Sequence, residues 1–385
     1  MGAAASVSGA GAKRRVRVCL VAPALTIPGG QAIQASRLYQ GLRRIPSVEV
    51  GFVATNPVLP RFLRPLQRVR YVRTIVTVVK YVWTLLRSLA SYDVVHVFSA
   101  SYWSFVLNPT PAVLLAKLYG KKVVLNYRSG EAEDHLRRWG RTAIPVMRQA
   151  DALVVCSGFL MEVFARAGLR ARIIPNIIDF DQFRFRERRP LRPLFLANRH
   201  LEPMYNVACV LRAFARIQRA VPDARLVVAG EGSQRAALEQ LARELGLRHC
   251  EFIGRVRPEQ MPALYDAADV YLNAPDVDNM PGSILEAFAS GVPVVTTDAG
   301  GIPFILRHYD TGLLVPRGDD AAMAAAALQL LEDPKLAARL TAAAFDECQH
   351  LYAAEDVLSQ WVRVYEDLSE TPAPTSVVVV GESSV

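Results

Sequence analysis

VRVCLVAPALTIPGGQAIQASRLYQGLRR, residues 16–44, is the stretch that decides the fold. Its first eight residues form a short apolar run ending in Pro23, the pattern of a buried strand. A loop carrying Gly29-Gly30 follows, and AIQASRLYQGLRR then places apolar residues at helical spacing. Strand, glycine turn and helix, in that order, make one half of a nucleotide-binding unit. A paired glycine in a loop is common, so the turn gains meaning only from its surroundings.

Working outward, VEVGFVAT (48–55), DVVHVFS (93–99), KKVVLNY (121–127) and ALVVCS (152–157) read as further strands, several separated by helical patterns. The first half is thus an α/β unit, a parallel sheet with covered faces, expected over 16–180. FDQFRFRERRPLRP (180–193) is charged, holds two prolines and lacks an apolar stripe, so 181–193 is expected to be a linker. A second series follows over 194–352, with strands in PLFLANR, ARLVVAG, CEFIGRV, VYLNAP and VPVVTTD. Two such units suggest two Rossmann-like domains facing each other across a cleft, with ligands at the carboxyl ends of the strands. The last helix, about 353–369, is expected to pack back on the first domain. Residues 1–15 are expected to be a disordered leader, too small-residue-rich for a signal peptide, and 370–385 a disordered tail.

The chain has 385 residues, 51% of them hydrophobic, which is ample for packed cores. A formal charge of +9 favours anionic partners: nucleic acid, acidic lipid or phosphorylated small molecules. Base-reading aromatics at RNA-motif spacing are missing, so nucleic acid is not expected. Five scattered cysteines without a CxxC pair argue for a reducing, cytoplasmic setting and against a disulfide frame or zinc site. No HExxH or GxSxG occurs, and no uninterrupted apolar run is long enough to span a bilayer.

Chemistry concentrates in DVDNMPGSILEAFASGVPVVTTDAGGIP, residues 276–303. Ser283 and Glu286 fit the S-x-x-E capping box, in which serine caps a helix and glutamate bonds back to the serine amide. The helix that starts there offers free N–H groups and a positive dipole end, which suit a phosphate. Pro281-Gly282 lets the backbone approach such a ligand. Asp276-Val277-Asp278 is formally a DxD, a pattern that holds a divalent metal in many sugar-transferring enzymes. It falls late in the second α/β unit rather than midway through a single one, so a solvated loop is the better reading of Asp276. GEGSQR (230–235) begins like GxGxxG but has Arg235 at the third glycine, which disfavours a nicotinamide enzyme.

One segment stands apart. Residues 61–89 carry Arg61, Arg64, Arg68, Arg70, Arg73, Lys80 and Arg87 among aliphatic residues, Tyr and Trp, with no acid. Such a basic amphipathic helix can lie in the interface of an anionic membrane. The plainer alternative is a domain helix with a solvated basic face.

Taken in order, these segments resemble the family 4 retaining glycosyltransferases (glycosyl transferases group 1), which have the GT-B fold. The resemblance runs from VRVCLVAP to the final helix. It is strongest in DNMPGSILEAFASGVPVVTTDAGGIPFILRHYDTGLLVPRGD (278–319): an acid, seven residues, Glu, then A-x-x-x-G-x-P-V-V, a Gly-Gly turn and G-L-L-V-P. IPNIID (174–179), AGEGSQR and FIGRV lie at the family's usual places. The resemblance implies that Glu286 bonds the ribose hydroxyls of a nucleotide and Asp278 the hydroxyls of the donor sugar. Pro281, Gly282 and Ser283 would contact diphosphate or sugar, and Gly29 and Gly30 would approach the phosphates from the other domain. Arg199 would neutralise the leaving diphosphate, for which an always-charged fork is a good physical choice. Gly232, in AGEGSQR, falls at a donor-binding position, and Val256 would meet the base.

The departures are specific. Asp278 stands where the family usually has Glu, one methylene shorter. The family's GRL-x-x-x-KG reads NRHLEPMYN, so Tyr205 or Asn206 stands near the missing lysine. Arg128 takes the place of a histidine after KKVVLNY, with His135 seven residues on, and could supply the lost positive charge. The resemblance implies transfer from a nucleotide-diphosphate sugar to a glycan, lipid-linked or other membrane-associated acceptor. It also implies retention without a metal or other cofactor, at the cytoplasmic membrane face. A GT-B nucleotide-sugar epimerase and a catalytically silent homologue serving as a binding subunit are the alternatives.

Overall fold

Every strand pairing among the described residues is parallel, as the short Val-, Ile- and Leu-rich runs require when both faces of a sheet are buried. The computed structural model describes residues 14–25, 29–57 and 70–370. Residues 1–13 of the expected leader, the tail beyond 370, and the segment 61–69 with Arg61, Arg64 and Arg68 lie outside the described residues.

The first sheet contains β1 (Val16–Ala22), β2 (Val48–Ala54), β3 (Val94–Ser99), β4 (Lys122–Tyr127), β5 (Ala152–Val155) and β6 (Arg172–Ile173), in the order β2-β1-β3-β4-β5-β6. The second contains β7 (Leu194–Ala197), β8 (Arg225–Ala229), β9 (Cys250–Gly254), β10 (Val270–Asn273), β11 (Val294–Thr297) and β12 (Leu313–Val315), in the order β12-β11-β10-β7-β8-β9. The sequence pattern does not reveal β6 or β12 as strands, because two or three residues are too few for an apolar run to stand out. In each sheet the strand order reverses beside the first strand, between β1 and β3 and between β7 and β10. Those are the switch points at which open α/β sheets leave a crevice for ligands.

Helices α1 (Gly30–Leu42), α2 (Arg70–Ser88), α3 (Tyr102–Leu107), α4 (Pro109–Leu118), α5 (Ala132–Met147) and α6 (Gly158–Arg166) alternate with the strands of the first sheet. Helices α7 (Val207–Ala220), α8 (Arg235–Glu244), α9 (Met261–Ala267), α10 (Gly282–Ala289), α11 (Asp320–Glu332) and α12 (Pro334–Tyr352) belong to the second. The final helix, α13 (Ala354–Glu370), returns to the first sheet, where Val357, Trp361, Val364 and Tyr365 share a core with β1 and β3. The return is fastened by the amide of Ile178, which donates to the Tyr352 carbonyl at 2.9 Å.

The segment between the sheets is charged yet firmly held. Asp269, its side chain 1% exposed, receives Arg186 at 2.7 Å and Arg192 at 2.9 Å, with Arg188 at 3.5 Å. Arg188 is itself buried, and its guanidinium donates to the carbonyls of Tyr265, Ala268, Arg186, Ser290 and Gly291. A segment without an apolar stripe is thereby attached to the second sheet by ion pairs and carbonyl bonds instead of hydrophobic burial.

Candidate active site

Helix α10 carries the centre of the site, and its start differs from the capping-box expectation. Pro281 occupies the N-cap in an extended conformation, and no side chain caps the helix. The helix therefore begins two residues earlier than the box requires, which puts Ser283 and Glu286 inside it. Ser283 Oγ accepts from Arg199 Nη1 at 3.0 Å, and Glu286 bonds neighbouring elements instead of its own helix start. The first-turn N–H groups are left without side-chain caps, and a Cβ added at Gly282 would meet nothing within 4 Å among the described residues. Gly291, with φ 66°, closes the helix.

Arg199 follows β7 and reaches across the switch point to β10's loop. Its guanidinium donates to Asp278 Oδ2 at 2.5 Å and to Ser283, and it lies over the Tyr205 ring, 4.3 Å from the centroid. Burial alone would lower its pKa, but the Asp278 carboxylate outweighs burial and holds it above its ordinary value. Tyr205, at the end of a short 3₁₀ turn, thus supports Arg199 from below. Asn206 is placed differently: with φ 41° it caps α7, its Oδ1 accepting from the Cys209 amide at 3.3 Å and its Nδ2 donating to Asp276 at 3.2 Å. The two aspartates of the DxD therefore serve separate protein donors.

Gly232 proves to sit against backbone. A Cβ there would collide with the carbonyl of Leu201, and one at Gly230 with the carbonyl of Arg199. The absence of a side chain lets the loop after β8 dock on the loop after β7, fixed by the Leu201 amide donating to Glu231 O at 3.0 Å and the Gln234 amide to Leu201 O at 2.9 Å. Val256 follows β9 and is half-buried, packed against the hydrophobic core.

The first domain clasps the segment Asp278–Pro281. A Cβ on Gly130, in the loop after β4, would stand 3.1 Å from the Asp278 carbonyl carbon. From the loop after β5, Ser157 hydrogen-bonds the Asn279 side chain, whose Nδ2 donates to Cys156 Sγ at 3.0 Å. From the loop after β6, Asn176 Nδ2 donates to the Met280 carbonyl at 2.9 Å. Gly29, with φ 146°, caps α1, and among the described residues nothing lies within 4 Å of a Cβ added at it or at Gly30. Two glycine-led helix starts, those of α1 and α10, thus stand at the carboxyl ends of the two sheets.

Arg128 is the first residue after β4. Its Nη1 donates to Asn126 Oδ1 at 3.4 Å and its guanidinium lies over Phe98. Among the described residues no carboxylate pairs with it, and burial pulls its pKa below the ordinary arginine value. Asn126 Nδ2 donates in turn to His96 Nε2 at 3.0 Å, which leaves the His96 Nδ1 proton for the Tyr365 hydroxyl at 2.7 Å. Burial, and then Arg128, lower the His96 pKa to about 3, so the ring is neutral at ordinary pH. His135 does not stand in for the missing histidine. It is fully buried beneath Tyr127, and burial lowers its pKa to about 4.

Glu286 is buried, and its carboxylate accepts from Arg37 at 3.1 Å and from the Tyr265 hydroxyl at 3.3 Å. Burial raises its pKa, and Arg37 works against that rise. Sequence reasoning missed Arg37, Tyr265, Asn279 and Asn176. Arg37 left one signal, a basic residue on a helix whose neighbours Gln34, Ala35 and Leu38 are all buried. Asn176 and Asn279 lie inside the quoted IPNIID and DNMP stretches.

Two α/β domains meeting at their strand ends, with Arg, Asp and an open helix start between them, define the GT-B class. The family Glycosyl transferases group 1 matches residues 179–347, and Glycosyltransferase Family 4 matches residues 6–182. The chain belongs to this glycosyltransferase family. A glycogen synthase of Mycobacterium tuberculosis is 29% identical over 290 residues, covering 71% of this chain and 68% of the relative. A GDP-mannose-dependent alpha-(1-6)-phosphatidylinositol monomannoside mannosyltransferase of the same organism is 31% identical over 265 residues, 60% of this chain and 67% of the relative. The match to a phosphatidyl-myo-inositol mannosyltransferase of Mycolicibacterium smegmatis, 33% identical, spans 46% of each chain. The fold is also that of Anabaena HepE, solved with UDP-glucose (TM-score 0.74, 17% identity, 92% of this chain and 100% of that one). A sucrose-phosphate synthase of Thermosynechococcus elongatus aligns with TM-score 0.74 and 21% identity over 92% of this chain and 99% of its own.

Proposed function

We propose that this glycosyltransferase moves a sugar, with retention and without a metal, from a nucleotide-diphosphate donor to a glycan, lipid-linked or other membrane-associated acceptor. The observation that carries this reading is the Arg199 fork, held by Asp278 and Ser283 at the uncapped start of α10. Cleaving a sugar–diphosphate bond builds negative charge on the leaving phosphate. Arg199, Arg128 and the free amides of α10 stabilise that charge in a water-poor cleft. Asp276 and Asp278 are committed to Asn206 and Arg199, which supports neutralisation by arginine. Asp278 would bind donor-sugar hydroxyls and Glu286 the ribose, with Gly29 and Gly30 lying over the phosphates. Among the described residues no side chain at the site offers itself as a free nucleophile: Asp278 and Glu286 are ion-paired, and Asp276 holds Asn206. Front-side attack follows, with the leaving phosphate oxygen taking the acceptor's proton.

The half-buried Arg128, which no carboxylate pairs with among the described residues, favours an active enzyme over a silent binding subunit, since a partly desolvated cation without a counter-charge is costly unless an anion completes it. Arg128→Ala is expected to weaken binding of nucleoside diphosphates and to slow turnover about tenfold or more, by the measure of a hydrogen bond to a charged group. Calorimetry and initial rates check this, and an unaltered variant removes Arg128 from the site. Donor class is read by thermal shift against UDP-, GDP- and ADP-sugars, with stabilisation by one class expected. Product analysis with and without acceptor separates transfer from epimerisation.

The acceptor side is proposed to meet an anionic membrane. Helix α2 buries Tyr81 and Leu85 yet leaves Ile75, Val79 and Trp83 more than half exposed, with Leu86 beside them. These four form a second apolar stripe at helical spacing on the solvent side, flanked by Arg73, Lys80 and Arg87. Leu118 of α4, 79% exposed, extends the patch, and the Tyr119 hydroxyl ties the two helices by donating to Leu86 O. No helix among the described residues is long and apolar enough to cross a membrane. The protein is expected to float with phosphatidylglycerol vesicles at low salt, and Val79→Glu with Trp83→Glu to abolish flotation. Absence of wild-type flotation would refute the membrane reading.

A further inference from the structure

Arg37 leaves the middle of α1 and crosses from the first domain to the second. Its guanidinium donates to Glu286 Oε1 at 3.1 Å and to the Ile177 carbonyl at 2.9 Å, and lies over the Phe183 ring, 5.7 Å from the centroid. Gln34, one turn earlier, grips Ile177 with both ends of its amide: Nε2 donates to Ile177 O at 3.1 Å and Oε1 accepts from the Ile177 amide at 2.8 Å. The arginine is therefore fixed by its own helix, by the loop after β6 and by the ring of the segment between the sheets.

On the other side, Glu286 faces Arg37 from α1 and Tyr265 from α9, with Arg199 and Tyr271 as its further ionisable neighbours. Oε1 holds Arg37, and Oε2 shares the single Tyr265 hydroxyl proton with the Ser283 carbonyl, which leaves lone-pair sites on both oxygens for a ligand. A buried carboxylate without a partner cation tends to take up a proton, and then loses its charged hydrogen bonds to hydroxyls. Of the cations near Glu286, Arg37 is the one that bonds it, and it comes from the opposite domain.

We propose that Arg37 is a positioning residue for nucleotide recognition, holding the Glu286 carboxylate in place across the cleft so that its grip on the ribose requires the two domains in register. This rests on the reading of Glu286 as the ribose ligand. Arg37 touches neither the sugar nor the diphosphate; it acts through Glu286. Domain register and ribose affinity then become one quantity.

The test uses calorimetry with UDP, GDP and their 2′,3′-dideoxy forms. Arg37→Met is expected to weaken the ribonucleotide that binds by about tenfold, the scale of one charged hydrogen bond. The dideoxy form lacks the hydroxyls and is expected to change by less than about twofold, because the charged hydrogen bond is absent from its complex. Equal losses for both forms would mean a merely structural role and overturn the proposal. Glu286→Gln should reproduce the selective loss. If Glu286→Gln binds both forms like wild type, the ribose reading itself fails. If Glu286→Gln is impaired and Arg37→Met is not, only the Arg37 proposal fails. Should Arg37→Met not fold, Arg37→Met with Glu286→Gln removes both charges together. That double variant is expected to match Glu286→Gln alone, and a further loss of affinity would overturn the coupling.

Discussion

Arg199→Ala is expected to lower kcat/KM by about two to three orders of magnitude, the effect of removing one fixed donor from a developing oxyanion. The argument is geometric. Arg199 is held by Asp278 at 2.5 Å, by Ser283 at 3.0 Å and by the Tyr205 ring beneath it, so its fork is in place before any substrate arrives. Groups that need no reorganisation when charge develops contribute most to lowering a barrier. Arg199→Lys keeps the charge but loses the planar fork, and is expected to recover only a small part of the activity. Steady-state kinetics with the donor identified by thermal shift, run below the variant's melting temperature, give the result. Near-normal turnover by both variants would remove the diphosphate from this end of α10.

Asp269→Ala is expected to cost about 3–5 kcal/mol of stability, because it strands the buried Arg188 without a partner charge. Arg186 and Arg192 would lose the same anchor, and the segment joining the two sheets would loosen. Denaturant melts of wild type and variant supply the number; a loss below about 1 kcal/mol would show that the ion-pair cluster contributes no more than a surface pair. The pH dependence has a definite sign. Burial alone would raise the Asp269 pKa, but Arg192 and Arg186 outweigh it and hold it below the ordinary value. The stabilisation is therefore complete above the unfolded carboxyl's pKa, about 4, and is lost as pH falls through the lower native value. The variant should lack that acid-side loss.

Local pattern was enough for much of this molecule. The runs that became β1, β3, β4, β10 and β11 are buried along nearly their whole length, so their apolar character showed without any partner in view. Asp278 and Arg199 were legible as candidates because family spacing carries them. Glu286 was legible as a residue but not in its surroundings. Its cation lies 249 positions away on another domain, and no periodicity connects the two. The capping box misled for a local reason: S-x-x-E occurs, but Pro281 already occupies the N-cap. Gly232 shows a similar ambiguity, since a glycine can make room for a phosphate or for a carbonyl. Here Leu201 fills that room.

The chain passes between the domains twice, and the two passages lie side by side at Ile178 and Ala353. A single tether would let one domain swing in any direction, but two adjacent tethers confine relative motion to rotation about the line they define. The mechanical freedom of the molecule is thus close to that of a door on two hinges. The residues after 353 also complete the first domain, since Trp361 and Tyr365 pack under β1 and β3. A shortened chain ending before α13 would therefore lose one hinge and part of the first domain's core in a single cut.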